Sequence, residues 1–503
     1  MSSIDFGHTR CKVAYLDAAG KPNIVSNARG EDSTPTVVHV QPGREPLVGL
    51  DAVEQGFLDP AGCVSNFKLG LGRTRNLLDN GQVLTATDAA AIVIGKLKAD
   101  AERALDREVA DVVATCPANF RDNAKQAYLE AFARNGIKVL RLLPEPTAAA
   151  IAYAMDRQGL NMTVLVYDFG GGTFDVSLVR VQGSQIDILA TDGVAKLGGS
   201  DINDCIRALV LDEIEAQAGR RPSPGEDPLL FHDLASRVEA AKISLGKRPE
   251  VPVVVGYNGA QVVVKVAQEW LHQAIDPLVD QSLQALDSAL SSAGLRPSDV
   301  TDLVMVGGTS RLPHIQRRVA DHTGLSPKTS IDPVKAVAYG GAVACIAEMA
   351  KEGKTATIRG QVVPAPEVFY QDVTAHDVGC CVVDRSGPTR RLVNSVIIPK
   401  NTAIPCKKAD FYCLEHEDQT AAQIEILQGK HDSTRDECLL IGEMVVGNLP
   451  KEEKRTARLH VEYVIDANGM VTATVTDKVS GQQETVSVDY KRGIKPKDKP
   501  NAA

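Results

Sequence analysis

The sequence predicts an α/β domain of two related lobes facing a cleft, followed by an all-β domain. Two observations carry that reading. Within the first 350 residues, three elements recur in the same order. IDFG at 4–7 corresponds to VYDFGGG at 166–172, each an apolar strand that ends in Asp and glycine. DVVATCPANFRDNAKQ at 111–126 corresponds to DLVMVGGTSRLPHIQR at 302–317, a buried strand, a turn and the start of a helix. EPTAAAIAY at 145–153 corresponds to DPVKAVAYG at 332–340, a small-residue helix behind an acidic-Pro pair. The second observation is a change of period: beyond about 371 the pattern turns to short alternating runs separated by turn residues.

The elements follow in order. Lobe I is expected over about 1–158 and lobe II over about 160–350, together the 1–350 domain. Val279, Leu283, Leu286 and Leu290 recur at helical spacing and predict a helix over 277–293. Residues 351–371 turn to charge and then to Pro364 and Pro366, the composition of a linker. In VIDANGMVTATV, Asn468-Gly469 between two alternating runs is a strong hairpin signal, and Ser480-Gly481 marks another turn. We read 372–490 as a β-domain. The ending KRGIKPKDKPNAA, 491–503, is basic and Pro-containing and is expected to be disordered.

Composition narrows the function. Hydrophobic residues make up 44% and charged residues 24%, which is globular. A formal charge of -9 argues against a general nucleic-acid binder. None of the 10 cysteines falls in a C-x-x-C pair, which favours reduced thiols over a disulfide framework or zinc site. MSSIDFGHTR is not a secretory signal, and no apolar run approaches the ~18 residues a membrane span needs. A cytoplasmic protein without membrane partners is expected.

The chemistry is concentrated in VLVYDFGGGTFDVSLVRV, 164–181, where three glycines stand between two strands. A hairpin needs only two turn residues, and extra glycine costs conformational entropy. By itself the run reads as a bend that relieves crowding. Here Asp168 precedes it, Thr173 and Asp175 follow, and IDFGHT supplies a second Asp-x-Gly-x-Thr turn. Two such hairpins suit the gripping of a polyphosphate and its Mg²⁺, because bare backbone N–H groups form an anion nest. Asp5 and Asp168 would hold the ion mainly through its waters. No G-x-x-x-x-G-K-[ST] is present, so this is not a P-loop. VMVGGTSRLP, 304–313, offers Gly307-Gly308 for close approach to a flat ring and Arg311 for stacking or phosphate.

Together IDFGHT, VYDFGGGTFDVSLV, LLPEPTAAAIAYAMD, LGGSDIN, VEAAKISLG and VMVGGTSRLPHIQ resemble the seventy-kilodalton heat-shock chaperones, the DnaK-type family, from Ile4 to about Val488. The resemblance implies an actin-like ATPase domain, duplicated and ribonuclease-H-like, followed by a β-sandwich that binds extended peptide. It implies ATP/ADP and Mg²⁺ as cofactors. It also implies unfolded peptides, a J-domain co-chaperone and a nucleotide exchange factor as partners. Asp5, Gly7 and Thr9 match the first phosphate hairpin, in which His8 and Arg10 depart from the family's residues but stand beside the phosphate. Lys68 matches the catalytic lysine, which without the match would read as a solvated surface residue. Glu145 and Asp168 match the acids around magnesium and the attacking water. Gly170, Gly171, Gly172, Thr173 and Asp175 match the γ-phosphate side, and Gly198 and Gly199 the loop beside it. Glu239, Lys242, Gly308, Thr309 and Arg311 match the adenosine clamp, and Gly246, Gly307 and Ser310 are further expected nucleotide contacts within the same segments. Pro117 matches a proline that relays nucleotide state.

The chain also departs from the pattern. His8 stands where the family has threonine, Ile243 and Gly246 where it has Arg and Ser, and Lys125 where a relay arginine is expected. A run of leucines in the linker is replaced by EVFYQDV, and the sandwich lacks the short apolar arch. No C-terminal helical lid is expected, so bound peptide should dissociate quickly. The implied function is an ATP-dependent chaperone with affinity for extended apolar peptide. Two alternatives are a ribosome- or J-domain-associated regulatory partner with little turnover and a small-molecule kinase on the same scaffold. The β-domain, standing where a kinase would need a substrate pocket, opposes the last.

Overall fold

A computed structural model describes residues 2–487, apart from 79, 156, 158, 159, 329, 359, 360, 388 and 452–455. The expected tail at 491–503, and residues 488–490 of the β-domain, lie outside the described residues. The chain divides into two units. The first comprises residues 1–71, 75–120 and 128–373, the second 72–74, 121–127 and 374–503.

The first unit contains the same sheet twice. Ser2–Phe6 and Arg10–Leu16 form a first hairpin, flanked by Pro22–Ile24 on one side and by parallel Asp111–Cys116 on the other, with Lys138–Pro144 beyond. Asn161–Phe169 and Phe174–Gln182 form a second hairpin, flanked by Gln185–Val194 and by parallel Asp302–Val306. These four strands follow the same order in both sheets, which differ at their edges, so the three sequence echoes mark equivalent places in two lobes. Phe369–Val373, at the end of the segment expected as a linker, runs parallel to Gln185–Val194. There Asp372 accepts hydrogen bonds from Arg141 Nη2 at 3.2 Å and Thr147 Oγ1 at 2.7 Å.

Helices Glu145–Met155 and Ala336–Lys351 share one core. Their contact faces are small: Ala148, Ala149, Ala336, Ala338 and Ala342 are all buried there. Gly340 sits at the closest point, where a Cβ would run into the Ala148 carbonyl. Glycine in a helix interior costs roughly 0.5–1 kcal/mol against alanine, and this backbone approach is what requires it.

The helix expected over 277–293 begins at Gln268 and passes through Pro277. Leu271 and Ile275 continue the buried stripe upstream. Their burial, roughly 1.5–3 kcal/mol each, outweighs the hydrogen bond that Pro277 cannot donate. Among the described residues no helix is long and apolar enough to cross a membrane. All ten cysteines are free thiols.

The second unit holds two four-stranded antiparallel sheets. One runs Arg391–Ile398, Val378–Asp384, Ala422–Gln428, Leu439–Val446; the other runs Cys406–Cys413, Ala457–Ile465, Val471–Asp477, Gln483–Ser487. Their apolar faces meet in a single core that includes Ile426, Val461, Tyr463 and Val475. Both sequence-marked turns form: Gly469 and Gly481 take left-handed φ of 72° and 74°. Asp466 accepts from the Asn468 and Met470 amides at 2.8 Å in the first. Asp477 anchors the second while paired with the fully buried Arg458.

Gly340→Val should destabilise the first unit by about 3 kcal/mol through overpacking at a backbone contact. Gly225→Ala, where nothing lies within 4 Å of an added Cβ, should shift stability by less than about 0.5 kcal/mol. Urea unfolding of the two variants provides the check.

Candidate functional site

The two hairpins bring their turns face to face. A Cβ on Gly171 would fall 2.8 Å from Thr9 Cγ2, and one on Gly172 would fall 2.6 Å from His8 Cγ. A Cβ on Gly198 would overlap the backbone of Gly171 and Gly172. Part of the glycine requirement is therefore met by the protein itself, because the first hairpin and the 198–199 turn crowd this backbone. Gly170 is different; its nearest neighbour would be Thr173 O at an ordinary 3.4 Å.

The amides of the 198–200 turn are already used. Gly199 N donates to Gly170 O at 3.0 Å and Ser200 N to Gly171 O at 2.8 Å. Asp201 Oδ2 accepts from Gly198 N at 2.7 Å. Gly198 and Gly199 therefore brace the triple-glycine turn instead of presenting free donors. The N–H groups of Gly171 and Gly172 make no hydrogen bond within the described residues. These two unpaired donors are the elements of an anion nest.

Around the turns lie four buried carboxylates, Asp5, Glu145, Asp168 and Asp175, and two buried ammonium groups, Lys12 and Lys68. Lys68 follows the short strand Cys63–Ser65 through the 3₁₀ turn Phe67–Gly70, which carries it inward. Its Nζ donates to Glu145 Oε1 at 2.8 Å. Glu145 opens its helix directly after strand Lys138–Pro144, where the helix N-terminus favours negative charge. Asp5 accepts from Thr115 Oγ1 at 3.1 Å and lies 3.9 Å from Lys12 Nζ. Asp168 and Asp175 are register partners across the second hairpin. Asp175 Oδ1 accepts from the Asn119 amide at 3.2 Å.

Burial works against the Lys68 ammonium, but Glu145 outweighs it and holds the pKa above the ordinary value. Burial raises Glu145, opposed by Lys68 and reinforced by Asp5. Asp168 is pushed well above the carboxylate range by burial and then by the charges of Glu145, Asp175 and Asp5. Asp175 is pushed up to about 8, by burial and then Glu145. Burial, then Lys68, lowers His8 to about 4, so its imidazole is neutral.

A second cluster adjoins the first. Lys242 Nζ donates to Glu239 Oε2 at 2.7 Å and to Gly199 O at 3.1 Å, and Asn203 Nδ2 also reaches Glu239. Thr309 Oγ1 donates to Gly170 O at 2.7 Å. Ser310 ties the turn together, donating to Val306 O and accepting from Phe169 N. Gly307 takes φ +83° against Phe169, while a Cβ added at Gly308 would meet nothing within 4 Å. Arg311 is exposed at the rim and pairs with Asp332 at 2.7 Å. Gly246 ends helix Pro228–Leu245, where an added Cβ would lie nearest to Ile243 O, Pro313 and Leu312. Arg10 is exposed, with its guanidinium held by Ser33 and Glu31.

Lys12 and Thr115 were missed by sequence reasoning. Both are register partners of Asp5, one across the hairpin and one on the parallel neighbour. Pairing the first hairpin from its turn would have exposed Lys12; Thr115 required the sheet order. Among the described residues, no group of three or more His, Cys, Asp or Glu is arranged to hold a metal ion. The donor set suits a hydrated Mg²⁺ whose remaining ligands come from phosphate, since that ion sheds water reluctantly and uses few carboxylates.

The family described as Hsp70 protein matches residues 1–80 and 75–501. The chain is 30% identical over 502 residues to the chaperone protein DnaK of Thermotoga neapolitana, covering 98% of this chain and 81% of the relative. It is 30% identical over 501 residues to the chaperone protein DnaK of Thermosipho melanesiensis, with the same coverage of each chain.

Two outcomes are expected from the charge balance. An Asp175 carboxyl that keeps its proton to about pH 8 when folded, against an ordinary pKa near 3.9 unfolded, costs stability progressively as pH rises between those values. Asp175→Asn should therefore leave the melting temperature of the ligand-free protein unchanged near pH 4 and raise it increasingly toward pH 8. Lys68→Ala should cost about 3–5 kcal/mol by leaving Glu145 buried without its cation. The Lys68→Ala/Glu145→Ala double variant should recover part of that loss, as a double-mutant cycle measured by denaturant unfolding will show.

Proposed function

The chain belongs to the Hsp70 family, whose members bind nucleotide, and from that premise we propose that it is an ATP-dependent chaperone whose ATP site lies between the two glycine turns. The observation that carries this reading is the pair of unpaired N–H groups at Gly171 and Gly172, set among the Lys68–Glu145 pair and the other buried carboxylates. Phosphate oxygens suit those donors, and a divalent cation suits the surplus of negative charge.

In this reading Asp5 and Asp168 would hold Mg²⁺ mainly through its waters, and the ion would supply positive charge against that developing on the phosphates. Lys68 positions the attacking water and the γ-phosphate, while Glu145 keeps the ammonium in place. Thr173 and Asp175 line the γ-phosphate side. Glu239, Lys242, Gly308, Thr309 and Arg311 receive the adenosine. The residues position and stabilise charge during in-line phosphoryl transfer and form no covalent bond to it. The strand Phe369–Val373, added to the sheet of lobe II and anchored by Asp372, supports communication between the ATP site and the β-domain. That domain would bind extended apolar peptide segments by strand-like backbone hydrogen bonds. A J-domain protein and an exchange factor are the expected helpers.

Single-turnover hydrolysis, with and without a J-domain protein and an unfolded peptide, tests the proposal. Hydrolysis is expected to rise with those partners, and to fall about a hundredfold or more in Lys68→Ala and Thr173→Ala. Tight ATP binding without turnover under every condition would instead point to a regulatory partner.

A further inference from the structure

We propose that His8 is a proton-accepting phosphate ligand: its imidazole takes up a proton from solvent as a nucleotide's polyphosphate enters the seam between the turns, and the imidazolium then donates a hydrogen bond to a phosphate oxygen. The inference rests on reading this seam as the ATP site.

The geometry is specific to this side chain. His8 is 7% exposed, and its ring lies against Gly172, where a Cβ would fall 2.6 Å from Cγ and Cδ2 and 2.8 Å from Nδ1. Nδ1 is inaccessible to solvent and has no hydrogen-bond partner. A buried polar atom without a partner is rare in a folded protein, and this one lies between the two turns, beside the unpaired amides of Gly171 and Gly172.

The charges around it explain why the ring is neutral before ligand arrives. Lys12 and Asp5 stand on its own hairpin, and Asp168 and Asp175 on the facing one. Lys68 comes from the 3₁₀ turn and is paired with Glu145 from its helix. Lys242 and Glu239, on the helix behind the 198–199 turn, are paired with each other, and Arg10 is turned to Ser33 and Glu31. Burial and the Lys68 charge oppose a second cation at His8. An entering phosphate reverses the sign of the nearest charge, which favours the protonated ring. Unlike a hydroxyl, an imidazole therefore supplies a positive charge only while the anion is present. On release the proton returns to solvent.

Calorimetric titration of a non-hydrolysable Mg·ATP analogue, at pH 7 in buffers of different ionisation enthalpy, counts the protons taken up on binding. The wild-type chain is expected to take up a fraction of a proton that His8→Thr does not, the nucleotide's own proton being common to both. Its affinity should fall as pH rises from 6 to 8, by at most about tenfold per pH unit, while the affinity of His8→Thr stays flatter. His8→Asn, which keeps a donor that cannot titrate, should bind without the proton linkage. Equal proton counts in wild type and His8→Thr would overturn the inference. If the wild-type chain bound no nucleotide at any pH, the reading of the whole site would fall, a distinct result.

Discussion

Buried negative charge without enough buried positive charge governs this protein's first unit. Asp5, Glu145, Asp168 and Asp175 meet where the two hairpin turns approach, and the buried Lys12 and Lys68 beside them are outnumbered. Carboxylates removed from water prefer their neutral form unless a cation or hydrogen bonds support the ionised one. The raised values of Glu145, Asp168 and Asp175 express that imbalance. A site built this way is complete only with added cations, and two free backbone donors beside it suit the anion that accompanies them.

The duplicated sheet makes the convergence possible. Each lobe places an acidic residue at the end of the first hairpin strand and a glycine turn directly after it. The helices Glu145–Met155 and Ala336–Lys351 then pack closely enough, through alanines and Gly340, to hold the lobes turn to turn. Glycine thus has two roles in this unit: it permits backbone contact between helices, and it permits one hairpin to accept the other. The braced 198–199 turn adds rigidity by using its amides on the Gly170 and Gly171 carbonyls.

Much of this was legible from residues alone because the relevant signals are local. Strand, glycine turn and strand lie consecutively in IDFGHT and VYDFGGGTFDV, and the Asn-Gly hairpin of the second unit needs only its neighbours. The helix Gln268–Ala293 extends upstream of the expected 277–293 and past Pro277, because Leu271 and Ile275 are buried against distant side chains. Arg10 and Arg311 illustrate the converse. Both sit in matching motifs, yet the structure engages their guanidinium groups with Ser33, Glu31 and Asp332 at the exposed rim.

By itself the sequence determined the order of elements, the two acidic glycine turns and the family resemblance, since each depends on residues adjacent along the chain. Only the tertiary structure decided how the triple glycine is used. Gly171 and Gly172 are bare because Thr9 and His8 press against them, and their amides are left without a partner among the described residues. It also decided that Lys68, a residue that reads as a surface lysine, is buried against Glu145 from a separate helix. The physical reason is one of range. Backbone conformation is set largely by neighbours in sequence, whereas burial and charge pairing are set by which distant segments the folded sheets bring together.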